Sequence, residues 1–395
     1  MEESFIVGSV RTAVGKMGGT LKHITADYLA EQVIREVLAR HGSDVEVDEV
    51  ILGQAKQSAD QSNLARVALL RADLSVSTTG YTVHRQCGSG LQAINNADMQ
   101  LKLGLANAVI AGGAESMSTA PFYLRHARYG YRAGRGLLLD PNTESQPGSQ
   151  PIEEYGDLTM GMTAENLAEK YRISREEQDE FAHRSQELAD RAIKEGRFQQ
   201  QVVPYEVKER KRKLVFDRDE HPRLSSKEKL ATLPAVFKEG GTVTPGNASG
   251  RNDGAAALLM MNKRTMDVHG LKPKARILAQ AVSGVSPDIM GIGPVESTAK
   301  ALKQAGLQMK DIGLIELNEA FAAQSIAVIR EADMPVERVN VNGGAIALGH
   351  PIGATGAVIM TKLLHEMERT GERYGLATLC IGGGQGISTV IEYLH

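Results

Sequence analysis

Two cysteines and one histidine stand in glycine-rich stretches that suit chemistry at a substrate carbonyl. Cys87 lies in QCGSG, His350 in LGHPIG and Cys380 in LCIGGGQG. A cysteine thiolate is a strong nucleophile, and histidine is the natural base to take a thiol proton near neutral pH. Because glycine removes bulk beside the backbone, we expect Gly88 and Gly90 to leave room for a substrate carbonyl next to Cys87.

The local sequence of Cys87 leaves three interpretations open. A cysteine is most often a small buried residue of the core. The residues from Gly88 to Ala93 also match the dinucleotide pattern G-x-G-x-x-A, which should be followed by an acidic residue about 20 positions on. Positions 107 to 109 are Asn, Ala and Val, which weakens that match. A thiol at a helix N-terminus, the third interpretation, is stabilised as a thiolate by backbone N–H groups and the helix dipole.

Other polar groups have both a structural and a functional interpretation. Asn318 and Glu319 stand in IELNEAFAAQ, where a strand is predicted to meet a helix, so Asn318 either caps that helix or points into a site. Cys380 is either a core thiol or a second reactive thiol. The chain contains no G-x-x-x-x-G-K-[ST], CxxC or HExxH pattern, so we predict neither a nucleotide-hydrolysis loop nor a bound metal.

Composition and charge restrict the class of protein. The 395 residues carry a net charge of −3 and are 42% hydrophobic, which is typical of a globular chain and argues against a nucleic-acid partner. The basic run KERKRK, Lys208 to Lys213, is interpreted as the solvated face of a hairpin, with attraction of a phosphorylated ligand as the alternative. Two distant cysteines, with no signal peptide or membrane span predicted, indicate the reducing cytoplasm.

Alternating strand and helix signals predict a layered α/β protein. SFIVGSVRT, EVILGQA and YTVHR are predicted strands, and ITADYLAEQVIREVLARHG is a predicted helix that Thr25 caps and Gly42 ends. Residues 121–250 lack this rhythm, apart from an amphipathic helix with a capping box formed by Ser174 and Glu177. We therefore expect residues 121–250 to be an insertion on the α/β body.

The two parts of the alternating pattern resemble each other. In the first, a strand leads to Cys87 at the start of a helix. In the second, RVNVNGG is predicted as a strand that leads to His350 at the start of the helix HPIGATGAVIMTKLLHEM, with Pro351 in its first turn. We expect two similar α/β halves, one formed by residues 1–120 with about 251–270 and the other by residues 271–395.

Six motifs, in this order, resemble the thiolase family of acetyl-CoA acetyltransferases and 3-ketoacyl-CoA thiolases: RQCGSGLQAI, AGGAESMS, NASGRNDGAA, ELNEAFAAQ, NGGAIALGHPIGATGA and CIGGGQG. The resemblance covers essentially the whole chain. It implies the thiolase fold, in which two βαβαβαββ halves form five layers, α/β/α/β/α, with residues 121–250 as an inserted CoA-binding loop domain. It also implies acyl transfer between CoA and acetyl-CoA through an acyl-cysteine intermediate, with no permanently bound cofactor.

The resemblance implies roles for the reactive side chains. Cys87 matches the acylated nucleophile, His350 the base that activates it, and Cys380 the second cysteine, which moves the proton of the incoming nucleophile. Thiolysis of a 3-ketoacyl-CoA expels the enolate of acetyl-CoA, so a second acid is needed to protonate that enolate. Substrates and products would be acetyl-CoA, 3-ketoacyl-CoA and CoA.

Four further residues receive roles from the same resemblance. Asn318 matches an asparagine that holds a water in a first oxyanion hole, and the backbone N–H of Gly382 matches part of a second, with that of the nucleophile. Ser249 matches a serine that contacts the pantetheine of CoA. Arg223 falls near an arginine that packs on the adenine.

One position departs from the pattern of acetoacetyl-CoA-specific members. These commonly carry a histidine before the GMTAEN stretch, where this chain has Thr159 and Met160. A 3-ketoacyl-CoA thiolase of broader chain length is therefore the alternative activity. A condensing enzyme of the ketoacyl synthase type, with a cysteine and two histidines, and a non-catalytic acyl-CoA carrier are weaker alternatives. The resemblance also implies a homodimer or homotetramer.

Overall fold

A large mixed β-sheet in two similar parts dominates the computed structural model, which describes residues 2–209 and 212–394. The strands are β1 (Ser4–Thr12), β2 (Gly15–Lys16), β3 (Glu49–Gly53), β4 (Thr79–Val83), β5 (Ala108–Ser116), β6 (Tyr123–Leu124), β7 (Leu138–Leu139), β8 (Val202–Val203), β9 (Tyr205–Glu209), β10 (Arg212–Phe216), β11 (Asn252–Asn262), β12 (Ala275–Gly284), β13 (Leu314–Leu317), β14 (Tyr374–Ile381) and β15 (Gln385–Tyr393). The helices are α1 (Ala26–His41), α2 (Leu64–Arg71), α3 (Ser89–Lys102), α4 (Pro141–Glu144), α5 (Ile152–Tyr155), α6 (Met160–Lys170), α7 (Arg175–Lys194), α8 (Lys227–Ala231), α9 (Lys263–Val268), α10 (Gly293–Ala305), α11 (Ala322–Glu331), α12 (Ala345–Leu348) and α13 (Thr355–Thr370).

The first part of the sheet has the strand order β4-β3-β5-β11-β1. Strands β4, β3 and β5 run parallel, whereas β11 is antiparallel to both β5 and β1. Helices α1, α2 and α3 connect β1, β3, β4 and β5 in turn. Parallel neighbours need such crossover helices, so this part has the order βαβαβαββ once β11 is added.

The second part repeats this arrangement in the order β13-β14-β15-β12. Strand β13 is parallel to β14, and β15 is antiparallel to both β14 and β12. A parallel bridge between Ile315 and Val339 occupies the position that β4 has in the first part. The two parts join where Ile6 pairs with Ala275. The predicted pair of similar halves is confirmed.

Helices form three layers around the two parts of the sheet. Helices α3 and α13 pack against each other between the parts, where Leu91 and Met360 belong to one buried core. Helices α1 and α2 cover the outer face of the first part, and α10 and α11 cover that of the second. Each fully buried side chain of this size contributes about 1.5–3 kcal/mol to folding. The result is the predicted α/β/α/β/α arrangement.

The chain between β5 and β11 forms most of the irregular structure. It contains the longest helix, α7, which starts with the predicted capping box: the N–H of Ser174 donates to the Glu177 carboxylate (2.8 Å), and the N–H of Glu177 donates to the Ser174 hydroxyl (3.2 Å). Of the basic run, residues 210 and 211 lie outside the described residues, and Lys208 and Lys213 are exposed on the hairpin β9–β10. No helix within the described ranges is long and apolar enough to cross a membrane.

We propose three domains with the boundaries expected from the sequence. Residues 1–120 with about 251–270 form one half, 121–250 the inserted domain and 271–395 the other half. The strand order supports this division, because β11 returns to pair with β1 and β5 after the insertion.

The prediction of a strand at RVNVNGG is wrong. Asn340 has a left-handed backbone (φ 49°), which breaks an extended run after Val339. Its side-chain amide instead pairs with the backbone of Leu317, accepting from the N–H (3.0 Å) and donating to the carbonyl (2.8 Å). The bridge at Val339 and this amide together take the place of a strand beside β13.

Two predicted helix starts are also corrected. Helix α13 begins at Thr355, so His350 and Pro351 lie in the turn before it and Pro351 is not in its first turn. Thr25 holds the N-cap position of α1 but makes no capping hydrogen bond, because its hydroxyl donates to the Asp27 carboxylate. The end of α1 before Gly42 is as predicted.

Candidate active site

A strained turn between β4 and α3 presents Cys87. The residue before it, Gln86, has a left-handed backbone (φ 45°), which is uncommon for a side chain of this size. The Ser89 hydroxyl holds the turn closed by accepting from the N–H of Arg85 (2.8 Å) and donating to the carbonyl of Gln86 (2.6 Å). Cys87 therefore lies just before the N-terminus of α3, as predicted, and Ser89 is a structural residue of this turn that local sequence did not reveal.

Gly88 and Gly90 serve packing rather than substrate clearance, so that expectation is wrong. A Cβ atom on Gly88 would lie 2.6 Å from Cδ1 of Ile381, and one on Gly90 would lie 3.0 Å from the backbone of Ala357 and Gly353. Neither glycine lines the cavity beside Cys87. The backbone of Ala357 and Gly353 occupies the space beside Gly90 that a bound pyrophosphate would need. The dinucleotide interpretation is therefore wrong as well.

His350 is held as a neutral base. The Thr355 hydroxyl donates to the carbonyl of Pro351 (2.8 Å), so it accepts the N–H from Nδ1 of His350 (2.6 Å). This pattern leaves Nε2 unprotonated. Burial lowers the pKa of His350 to about 4, and the backbone N–H of His350 is fixed by Oδ1 of Asn252 (2.9 Å). The ring is therefore able to accept a proton near neutral pH.

The two thiols lie close to each other and both are protonated at rest. Burial raises the pKa of Cys87, and the N–H of Gly382, the Lys56 ammonium and its own N–H oppose that rise. Burial also raises the pKa of the Cys380 thiol, with a further contribution from the nearby Cys87. Since neither thiol ionises readily by itself, a nearby base such as His350 is needed to form a thiolate.

The glycine turn after β14 brings a backbone donor near the Cys87 thiol. The N–H of Gly382 lies close enough to the sulfur to oppose the rise in the pKa of Cys87, and both residues line the same cavity. Gly383 and Gly384 follow with φ values of 85° and 84°, and a Cβ atom on Gly383 would lie 2.6 Å from the carbonyl of Ser149. Only glycine fits this turn, which fixes the direction of the Gly382 N–H.

Asn318 lies directly after β13 and is 1% exposed. Its backbone N–H donates to Thr378 (3.0 Å), but neither atom of its side-chain amide makes a hydrogen bond to a described protein group. Helix α11 begins at Ala322 with Phe321 at the N-cap, so the helix-cap interpretation of Asn318 is wrong. A buried amide with free donor and acceptor atoms is suited to binding a small polar ligand. The Glu319 carboxylate, by contrast, has a structural role, because it accepts a hydrogen bond from the Ser185 hydroxyl (2.6 Å).

A cavity of about 180 Å³ brings several predicted residues together: Cys87, His350, Gly382 and Ser249 line it. Cys380 is fully buried in the apolar cluster behind this cavity, and Asn318 borders a smaller space that Thr355 also lines. Further lining residues that the sequence did not indicate are Lys56, Met117, Asn142, Ser145, Phe237, Arg251, Met290 and Phe321.

Strand ends explain which residues meet in the cavity. Lys56, Cys87 and Met117 follow the carboxyl ends of the parallel strands β3, β4 and β5. Such ends lie along one edge of a sheet, where ligands commonly bind. Gly382 follows β14 in the same way. The position of Lys56 just after a parallel strand could have indicated from the sequence that it lies at the site. Phe237 and Met290 come from segments without such a local pattern.

Two expected residues lie away from the cavity. Arg223 lines a separate groove with Gln186, Lys229 and Gly246, and its guanidinium donates to the carbonyl of Pro245 (2.8 Å). The Thr159 hydroxyl caps α6 by accepting the N–H of Met162 (3.3 Å), so it does not line the cavity, whereas Met160 does. Within the described ranges, no group of three or more His, Cys, Asp or Glu residues could hold a metal ion.

Comparisons with known proteins match the whole chain. The model of the thiolase N-terminal domain matches residues 4–264, and that of the thiolase C-terminal domain matches residues 271–393. The chain is 48% identical to an acetyl-CoA acetyltransferase of Syntrophomonas wolfei, with 99% of each chain covered, and 48% identical to one of Escherichia coli, with 100% of each covered.

Solved structures give the same result. The crystal structure of the Bacillus anthracis acetyl-CoA acetyltransferase superposes with a TM-score of 0.96 at 47% identity, covering 100% of this chain and 99% of that one. Human mitochondrial 3-ketoacyl-CoA thiolase superposes with a TM-score of 0.95 at 42% identity, covering 100% and 99%, and its complex with CoA with 0.94 at 42%, covering 100% and 98%.

Proposed function

Because the chain belongs to the thiolase family, we propose that it is an acetyl-CoA C-acetyltransferase that acts through an acyl group on Cys87. The reaction joins two acetyl-CoA into acetoacetyl-CoA and CoA, or runs in reverse. The observation that carries this proposal is the cavity shared by the Cys87 thiol, the neutral His350 and Gly382, whose N–H lowers the pKa of that thiol. The relatives named acetyl-CoA acetyltransferase support it.

In the direction of thiolysis, Nε2 of His350 takes the thiol proton and the Cys87 thiolate attacks the keto carbon of the substrate. The bond between that carbon and the α-carbon breaks, and Cys380 protonates the departing enolate to give acetyl-CoA. The thiol of CoA then loses its proton to the ionised Cys380 and attacks the acyl-cysteine, which releases the shortened acyl-CoA. Both thiols and His350 return to their starting protonation states.

Two sets of donors are proposed to stabilise the oxyanions of these steps. The N–H groups of Cys87 and Gly382 face the acyl-cysteine, and the Asn318 amide acts through a water beside His350. The free amide atoms of Asn318 support the second assignment. Each donor of this kind is worth about 3 kcal/mol in the transition state.

CoA is proposed to extend from the cavity along Ser249 to the groove at Arg223. The carbonyl of Pro245 anchors the Arg223 guanidinium, and Gly246 of the same loop lines the groove. Arg223→Ala should raise KM for acetoacetyl-CoA, since the adenine loses its contact. Acetoacetyl-pantetheine lacks the adenine, so its kcat/KM should not change; an equal loss with both thioesters would contradict the assignment.

A short acyl chain fits the cavity. Its volume is about 180 Å³, and the pantetheine arm shares that space. Because the Thr159 side chain caps α6, Met160 and Met290 of the lining are better placed to limit chain length. A 3-ketoacyl-CoA thiolase of broader chain length is the second candidate, and kcat/KM across a chain-length series separates the two.

The acyl-cysteine itself provides the direct test. Mass spectrometry after exposure to acetyl-CoA should show an acetyl group on Cys87, and Cys87→Ala should abolish both label and turnover while the melting temperature stays near that of the wild type. Label on Cys380 alone would contradict the mechanism. Decarboxylation of malonyl-CoA would instead favour a condensing enzyme of the ketoacyl synthase type.

A homodimer or homotetramer in the cytoplasm is also part of the proposal. Strand β4 is a half-exposed edge of the sheet, and such an edge offers unpaired backbone groups to another chain. The segment before α4 exposes Phe122, Tyr129, Leu137 and Leu138. Light scattering of the purified protein measures the number of subunits, and a monomer would refute this part.

A further inference from the structure

Lys56 is a buried cation in the wall of the Cys87 cavity. It follows β3, and its side chain lines the cavity although the residue is only 7% exposed. The Glu115 carboxylate fixes its backbone by accepting the N–H of Lys56 (3.1 Å). Burial of an ammonium is costly unless the charge is compensated, so the surroundings of Nζ indicate what Lys56 is for.

The protein compensates this charge only in part. Nζ of Lys56 donates to the carbonyl of Pro141 (3.3 Å) and to the Ser145 hydroxyl, both of which are neutral. An ammonium has three N–H donors, so one is left. Among the described residues, no carboxylate forms an ion pair with Lys56. The Glu115 oxygens instead accept the backbone N–H groups of Ala55, Lys56 and Gly353.

The rest of the lining carries no negative charge that could serve as a partner. Among the described residues of the cavity wall, Arg251 is the second charged side chain, and its guanidinium lies 3.8 Å from Asp140 outside the wall. Neutral polar side chains, including Asn142 and Ser145, stand beside Lys56. A purely apolar acyl chain would leave the third N–H of the Lys56 ammonium and the side-chain oxygen of Asn142 without a hydrogen-bond partner.

We propose that the cavity accepts short 3-ketoacyl-CoA substrates whose acyl chain ends in a carboxylate, and that Lys56 binds this carboxylate. The inference rests on the proposed function and names a substrate class for the same site. A six-carbon substrate of this kind leaves a four-carbon acyl group on Cys87 that ends in the carboxylate. Thiolysis then gives the four-carbon acyl-CoA and acetyl-CoA, with the same bonds broken and formed as for acetoacetyl-CoA.

Electrostatics support the assignment. Burial lowers the pKa of Lys56 and the nearby Arg251 adds to that fall, while the negative charges of Glu115, of an ionised Cys87 and of Asp140 oppose it. A bound carboxylate would act in the same direction as these negative charges and would hold Lys56 in its charged form. It would also form a charge-assisted hydrogen bond in a water-poor site, where such bonds are strongest.

The test compares kcat/KM of the full-length enzyme for three six-carbon substrates: the 3-ketoacyl-CoA that ends in a carboxylate, its methyl ester, and 3-ketohexanoyl-CoA. We expect the wild type to prefer the carboxylate over its methyl ester. Lys56→Met, which keeps an unbranched side chain one atom shorter and removes the charge, should lower that preference about 10- to 100-fold. Lys56→Arg should retain part of the preference, and Arg251→Met should change it less than Lys56→Met does.

Several results would overturn the inference. Equal kcat/KM of the wild type for the carboxylate substrate and its methyl ester would overturn the inference. This result needs no variant, so it counts even if Lys56→Met fails to fold. An equal loss with all three substrates in Lys56→Met, together with slower alkylation of Cys87, would show that the ammonium serves the thiolate instead. If the wild type cleaves acetoacetyl-CoA, only the inference has failed; if it cleaves none of the substrates, the proposed function has failed as well.

Discussion

The hydroxyl of Thr355 is expected to set the proton position on His350. It accepts from Nδ1 at 2.6 Å and donates to the carbonyl of Pro351 at 2.8 Å, and Thr355 is 1% exposed. Thr355→Val keeps the shape of the side chain and removes the hydroxyl. The buried N–H on Nδ1 then lacks an acceptor, which costs about 1–3 kcal/mol. His350 avoids this cost by moving its proton to Nε2, and that tautomer cannot take the proton of Cys87.

The size of the effect follows from that cost. A free-energy difference of about 1.4 kcal/mol is a factor of ten, so the active tautomer should become about 10- to 100-fold rarer. The kcat/KM for acetoacetyl-CoA thiolysis and the rate of Cys87 alkylation by iodoacetamide at neutral pH should fall by the same factor. Thr355→Ser is the matched control because it keeps the hydroxyl. A Val variant as active as the Ser variant in both assays would refute the reasoning.

Two further predictions concern stability. The pKa of His350 is lowered to about 4, against about 6.5 in an unfolded chain, so the unfolded state binds more protons between these values. As pH drops from about 6.5 to 4, His350 should contribute about 3 kcal/mol to the fall in the free energy of unfolding, beside similar contributions from His41 and His221. Urea titrations should show a smaller fall in His350→Gln, and an identical pH dependence would contradict the buried neutral ring. Gly90→Ala should destabilise the protein by about 1–3 kcal/mol, since its Cβ would lie 3.0 Å from the backbone of Ala357 and Gly353, whereas Gly148→Ala, with no atom within 4 Å, should change little. Equal melting temperatures of the two alanine variants would show that α3 and α13 can separate at no cost.

Interior strands and helices of the α/β body could be predicted because their residues carry periodic patterns. The core helix α1 ends at Gly42 as expected, and the capping box of Ser174 and Glu177 forms as expected. The strand predicted at RVNVNGG failed for a reason that no local pattern contains. Asn340 turns its backbone away and gives its side-chain amide to Leu317, a residue distant in the chain.

Only some residues of the candidate site could be predicted from the sequence. Cys87 and His350 were candidates from their own motifs and Gly382 from the family resemblance, and the structure brings the three to one cavity. The role predicted for Gly88 and Gly90 was wrong, because the atoms next to them belong to Ile381 and to the backbone around the start of α13, which are distant in the chain.

The sequence by itself determined the order of strands and helices, the resemblance of the two halves, and the reactive side chains with their glycine turns. These are local properties, since periodicity and turn chemistry act over a few residues. Only the tertiary structure decided that Lys56 enters the cavity, that Thr355 orients His350, and that Arg223 and Thr159 lie outside the cavity. Such relations depend on which strand ends converge and which helices pack, and so on contacts between residues far apart in the chain.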